Sequence, residues 1–172
     1  MKDIIRLFTQ IALLRRGPQD LPASMLLLAL AIGGYLCVTF VVSSALPPYE
    51  HWQGPQLVDA LFTVVWYVAL LRLLGRPERV LQTVSAVFGL QAVLSPPLIA
   101  STWLMRRVAG DAIWQLPVTC AGLLLLAWLI AATNHVVKAA LEWPGAASVV
   151  LVILQMIGAW LLVFALFPPA RA

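Results

Sequence analysis

Residues Gln115 to Pro144 read QLPVTCAGLLLLAWLIAATNHVVKAALEWP. From Leu116 to Thr133 the stretch is apolar and carries no charge, which is the pattern of a transmembrane helix. It then runs on, with no helix breaker, into a polar turn holding Asn134, His135, Lys138 and Glu142. The sequence therefore predicts one helix that crosses a membrane and leaves it at its polar end. Trp143-Pro144-Gly145 closes it.

The rest of the chain agrees with a membrane setting. Of 172 residues, 62% are hydrophobic and 10% charged, and the mean hydropathy is +0.95. A soluble domain carries about 25% charged residues, so the bilayer is the solvent, and no long polar segment remains for a water-soluble catalytic domain. The net charge of +4 does not imply nucleic acid. The cations lie in short inter-helix loops, where they set topology, and do not form a stripe with interleaved aromatics. Cys37 and Cys120 lie in apolar runs and are expected to be small buried hydrophobes; neither a disulfide framework nor a metal spacing is present.

Working outward, the sequence predicts an all-α polytopic bundle of five spans: about residues 23–45, 57–74, 80–105, 114–136 and 146–167. Residues 1–16, MKDIIRLFTQIALLRR, place Ile4, Ile5, Phe8, Ile11 and Ala12 on one helical face. That is the pattern of an amphipathic helix lying in the headgroup plane, with Arg15 and Arg16 toward anionic lipid. Residues 23–45 form too long an apolar run for a signal peptide, whose core is about 7–15 residues. Residues 47–55, PPYEHWQGP, read as a rigid loop with Tyr49 and Trp52 at interface height. Asp59 and Arg72 bracket the short second span and are expected near the two interfaces. Pro96 and Pro97 are expected to kink the third.

With the N-terminus inside, the cytoplasmic set is Lys2, Arg6, Arg15, Arg16, Arg72, Arg76, Arg79 and Lys138, against Arg106, Arg107 and Arg171 outside. The bias predicts a cytoplasmic N-terminus and a periplasmic C-terminus in an inner membrane.

Three features resemble the Yip family, five-span proteins whose eukaryotic members interact with Ypt/Rab GTPases. They are Gly75-Arg76-Pro77-Glu78-Arg79 leading into VLQTVSAVFGLQAVLSPP (Val80 to Pro97), the segment WLIAATNHVVKAAL (Trp128 to Leu141), and the five-span order itself. The resemblance covers about residues 57–167. It implies chiefly the fold: a cytoplasmic N-terminal flank, five spans and an outer C-terminus.

Two functional expectations follow. Asn134, Lys138 and Glu142 share a helical face by their spacing of four, and His135 borders it. With Gln82, Thr83 and Ser85 at the start of the third span, and Gln155 in the last, they are expected to form a polar crevice open to the cytoplasm, a route for a small solute or proton. The simpler account makes the same residues interface groups and interhelical contacts, at about 0.6 kcal/mol each. Gly33 and Gly34, Gly122, and Gly158 offer small faces for helix packing within the bundle or against another protein. No HExxH, GxSxG or paired carboxylate is present, and Glu50 with His51 has no nucleophile to serve. The favoured reading is thus a non-enzymatic partner-binding or assembly subunit, in contact with lipids and another membrane protein or a second copy, with no cofactor or metal. The alternative is a small transporter or channel.

Overall fold

The chain is built around its longest helix. In a computed structural model describing residues 2–45 and 53–168, six α-helices and two short 3-10 turns follow one another: α1 (Lys2–Ala12), α2 (Met25–Ala45), α3 (Gln53–Leu73), α4 (Val80–Arg107), α5 (Gln115–Leu141) and α6 (Gly145–Leu166). Among the described residues, α2 to α6 are long and apolar enough to cross a membrane. Helices satisfy their own backbone groups, which is what a hydrocarbon medium demands. The protein is a multi-pass, all-α membrane bundle. Tyr49, Glu50, His51, Trp52 and Arg171 lie outside the described residues.

α4 is the axis. It packs most extensively against α2 and α5, and also against α1 and α3. Its first half is jacketed on every side: Thr83 to Leu90 are all buried. A helix buried all round belongs to a core rather than to a lipid-facing surface. The other spans bury only one stripe each and turn the rest outward. On α2 the stripe is Leu27, Ala31, Tyr35, Thr39 and Ser43; on α3 it is Ala60, Thr63, Tyr67 and Leu71. These positions recur every three or four residues, as one face of a 3.6-residue helix must.

Several boundaries differ from the sequence expectation for identifiable reasons. α1 stops at Ala12 rather than Arg16, because Leu14 is left-handed (φ 60°) and the Arg15 amide turns back to the Gln10 carbonyl oxygen at 2.9 Å. Its apolar face is not offered to lipid alone: Phe8, Ile11 and Ala12 are buried in the bundle, while Ile5 stays outward. Gly89 of α4 makes this docking possible, since a Cβ there would collide with the Phe8 ring. Gln53, Gly54 and Pro55, expected in a loop, form the first turn of α3. α4 is continuous through Pro96 and Pro97, at the loss of the amide donors that would have met the Ala92 and Val93 carbonyls. Cys37 and Cys120, expected to be buried, are exposed on α2 and α5.

α5 bears out the stretch that began the reading, running unbroken through its polar turn to Leu141. It ends because Glu142 adopts a left-handed conformation (φ 57°, ψ 33°) and sends its amide to the Lys138 carbonyl at 2.9 Å.

Candidate functional site

The helix termini gather at two ends. At one, which we call the near end, lie α1, the ends of α3 and α5, and the starts of α4 and α6. At the far end lie the end of α2, the start of α3, the end of α4 and the start of α5. Each holds a distinct group of polar residues.

At the near end the polar groups are spent on one another. A helix terminus leaves its last carbonyls without partners. Arg79 supplies two donors to those of α5: Nη1 donates to the carbonyls of Ala139 at 3.1 Å and Ala140 at 3.0 Å. Its Nη2 donates to Glu142 Oε1 at 2.5 Å, and Arg76 Nη2 reaches Glu142 Oε2 at 2.8 Å. The hydrogen bond from Arg76, followed by that from Arg79, pulls the Glu142 carboxyl down to about 2. The same bond holds the Arg76 guanidinium above its ordinary value. Gln82 Nε2 donates to the Leu21 carbonyl at 2.7 Å, tying the segment before α2 to α4. Two further bonds hold α1 and its following turn: Trp128 Nε1 donates to Ala12 O at 3.0 Å, and His135 Nε2 lies 3.2 Å from Arg16 O.

Of the residues expected to share one crevice, Gln82, Thr83, His135, Lys138 and Glu142 line two adjoining hollows, and Asn134, Ser85 and Gln155 lie elsewhere. Asn134 Oδ1 accepts the Ser148 hydroxyl at 2.6 Å and joins α5 to α6. His135 and Lys138 line a shallow surface hollow with Glu142 and Trp143, and Glu142 also lines the adjoining one with Arg79, Gln82 and Thr83. Ser85 is fully buried on α4, and its hydroxyl has no partner. Gln155 lies in another part of the bundle, where its Nε2 donates to Thr63 Oγ1 of α3 at 3.1 Å. The reason is geometric. Gln155 stands three turns into α6, about 15 Å from the near end at 1.5 Å per residue, while Asn134 and His135 belong to the last two turns of α5.

Gln155 instead lines an open-sided cavity of about 440 Å³ bounded by α2 to α6, with the exposed Trp160 among its walls. Tyr35, Asp59, Gln91, Ser95 and Thr133 line it too. Asp59 is the chemical centre. It lies six residues into α3, about 9 Å along the helix axis. Tyr35 OH donates to Asp59 Oδ2 across 3.4 Å, a long bond. Among the described residues, no Lys, Arg or His pairs with Asp59. Gln91 Oε1 is buried and has no partner. The cavity's position also moves the expected polar path: its lining runs from mid-bundle to Pro55 and Gln56 in the first turn of α3, toward the far end.

The sequence reading passed over Tyr35, Gln91, Ser95 and Thr133 and placed Asp59 at an interface. A signal existed. Tyr35, Thr39 and Ser43 recur every four residues on α2, and Gln56, Asp59 and Thr63 repeat at three and four on α3. Polar stripes at helical spacing on apolar helices point inward.

The glycines divide. An added Cβ at Gly158 would lie 3.0 Å from Phe62 Cζ, and one at Gly122 would lie 3.1 Å from Met105 Cε, so both are close approaches within the bundle. Gly33 and Gly34 have nothing within 4 Å of such an atom.

Comparison with protein-family models, with curated proteins and with solved structures finds no match.

Proposed function

We propose that this chain is a non-enzymatic inner-membrane protein whose interior cavity binds a small polar solute on a transport path. One observation carries the reading: Asp59, a carboxylate on a membrane helix, lines the cavity without a cationic partner among the described residues. A charge at the bilayer centre costs on the order of 2.5–3.5 kcal/mol on insertion scales, and ionisable groups inside spans mark substrate or ion pathways. The cavity volume lies within the range of about 300–1,000 Å³ for small-molecule sites. The orientation we propose, N-terminus cytoplasmic and C-terminus periplasmic, is supported by the placement of Arg6, Arg15, Arg16, Arg76, Arg79 and Lys138 on near-end elements. Substrate would then enter from the periplasmic half.

Thiol accessibility tests this reading. Cys37 and Cys120 are replaced by Ala, and Ser95→Cys is compared with Leu124→Cys on the exposed surface of α5. A thiolate needs water to form. In intact membranes a hydrophilic methanethiosulfonate should modify the Ser95→Cys variant at least tenfold faster. Equal rates would show a dry interior and sink the proposal.

A second reading, an assembly subunit, is favoured by the open surface at Gly33 and Gly34. Such a surface suits close approach by another span. Gly33→Leu would dissociate an assembly without unfolding the chain, visible as a shift in native-detergent size. The Yip-family resemblance of residues 57–167 adds kinship of fold to either proposal.

A further inference from the structure

The free chemistry of the interior cavity defines its ligand. We infer that the cavity takes a small organic ammonium ion, held by Asp59 and Gln91; the inference rests on the solute-site reading above.

Several hydrogen-bond donors around the cavity are already engaged; among the described residues the Thr133 hydroxyl and the Gln91 amide nitrogen are not. Tyr35 OH donates to Asp59. Thr39 Oγ1 donates back to the Tyr35 carbonyl at 2.7 Å, and Ser95 Oγ to the Gln91 carbonyl at 2.6 Å. Gln56 Nε2 turns to Ser43 Oγ, and Gln155 Nε2 to Thr63 Oγ1. What sets the ligand's charge is the one carboxylate among the described lining residues. Asp59 has one oxygen with only a long bond from Tyr35 and a second carboxylate oxygen besides. Gln91 Oε1 is buried and unpaired. A buried acceptor without a donor is costly, so the ligand that fits brings N–H or O–H donors. A negative ligand would face Asp59 with no cation to balance it, whereas a positive one satisfies the carboxylate and the amide oxygen together.

Size separates the kinds of cation. A bare metal ion is held by about six oxygens at close range. Here a single carboxylate stands among neutral side chains in a cavity of about 440 Å³, which suits an organic ion with an apolar body. Leu98, Ile99 and Leu129 supply an apolar wall, and the Trp160 indole supplies a π-face. Aromatic faces attract organic ammonium groups.

The test titrates the full chain, purified in mild detergent, with benzylammonium, benzyl alcohol, benzoate and sodium ion, by isothermal calorimetry. Benzylammonium should bind at least tenfold more tightly than benzyl alcohol, and benzoate and sodium should show no saturable heat. Asp59→Asn should weaken benzylammonium at least tenfold and by a larger factor than it weakens benzyl alcohol, and Gln91→Leu should weaken it severalfold. Asp59→Glu, which keeps the charge, should hold affinity within a few-fold; unaltered circular dichroism and elution volume show that each variant is folded. Preferential binding of benzoate, benzyl alcohol or sodium overturns the ammonium assignment, as does an unchanged affinity in Asp59→Asn or the failure of all four probes. The solute-site reading is judged separately by the Ser95→Cys labelling, which needs no ligand.

Discussion

Glu142 and Asp59 are both carboxylates set against neighbouring helices, and the protein treats them in opposite ways. Glu142 caps α5 at the near end, where two guanidinium groups meet it. Asp59 lies within α3, where the only described hydrogen bond it receives is a long one from a phenol. One carboxylate is neutralised at the surface, where water would have served it. The other lies on a membrane helix with no countercharge among the described residues and only the Tyr35 hydroxyl to serve it. A bundle selected for stability alone would do the reverse. The contrast separates a structural clasp from a binding site.

The largest expected effect removes the cavity while sparing the clasp. Gly158→Leu drives a side chain into Phe62 and pushes α6 from α3. Overpacking of this kind costs about 1–3 kcal/mol, and the Gln155–Thr63 bond goes with it. Unfolding by denaturing detergent should register the loss, and Gly33→Leu, with open space around it, should not. Breaking the clasp comes next. Arg79→Ala strips donors from the Ala139 and Ala140 carbonyls and from the exposed Glu142; a hydrogen bond contributes about 0.5–1.5 kcal/mol, so a loss of about 1–2 kcal/mol is expected from the two carbonyls, with little added by the exposed ion pair. Ligand binding in the cavity should be unchanged. If Arg79→Ala abolished it, the two regions would be one site and the contrast would fail.

Asp59→Asn should act in the other direction. It removes a carboxylate that has no countercharge among the described residues, and the unfolding free energy should rise by about 1 kcal/mol, less than the cost for a charge at the bilayer centre because Asp59 is partly exposed to the cavity. A destabilised Asp59→Asn would mean that the carboxylate is structural.

The smallest effect is the acid response of Glu142. Its folded carboxyl titrates at about 2, below the ordinary 4.5. Its contribution to stability is therefore complete above pH 4.5 and lost as pH falls through about 2. Midpoints measured across that window should decline in the natural protein. Glu142→Gln should lack that part of the decline, and because the pair is exposed the difference will be modest.

The sequence made the helices legible because a bilayer admits few alternatives. Uncharged runs of span length gave four of the helices, and a shorter uncharged core between Asp59 and Arg72 gave α3, each to within a few residues. The amphipathic pattern gave α1, although its end at Ala12 depended on a left-handed Leu14 that no propensity suggests. The candidate site was less legible. Asn134, His135, Lys138 and Glu142 stood out because they cluster along the chain, and clustering is what a helix end produces. Asp59 looked like a boundary residue because its own helix has a short uncharged core. Tyr35, Gln91 and Thr133 looked like scattered polar residues. Glu142 carried a quieter signal. It occupies a left-handed cap where glycine is the usual choice, which makes sense when its side chain is needed for Arg76 and Arg79.

The chain by itself determined that this is a membrane protein, where its helices run, and on which loops its cations fall. Those follow from local composition, since each segment's transfer into lipid depends on its own residues. Only the tertiary structure decided which polar side chains meet. Asp59 faces Tyr35 from 24 residues away, and Gln155 faces Thr63 from 92. Such pairings are fixed by how each helix is rotated and how deep it sits against α4. That rotation is set by the summed packing of every buried stripe, and no single stretch of sequence contains it.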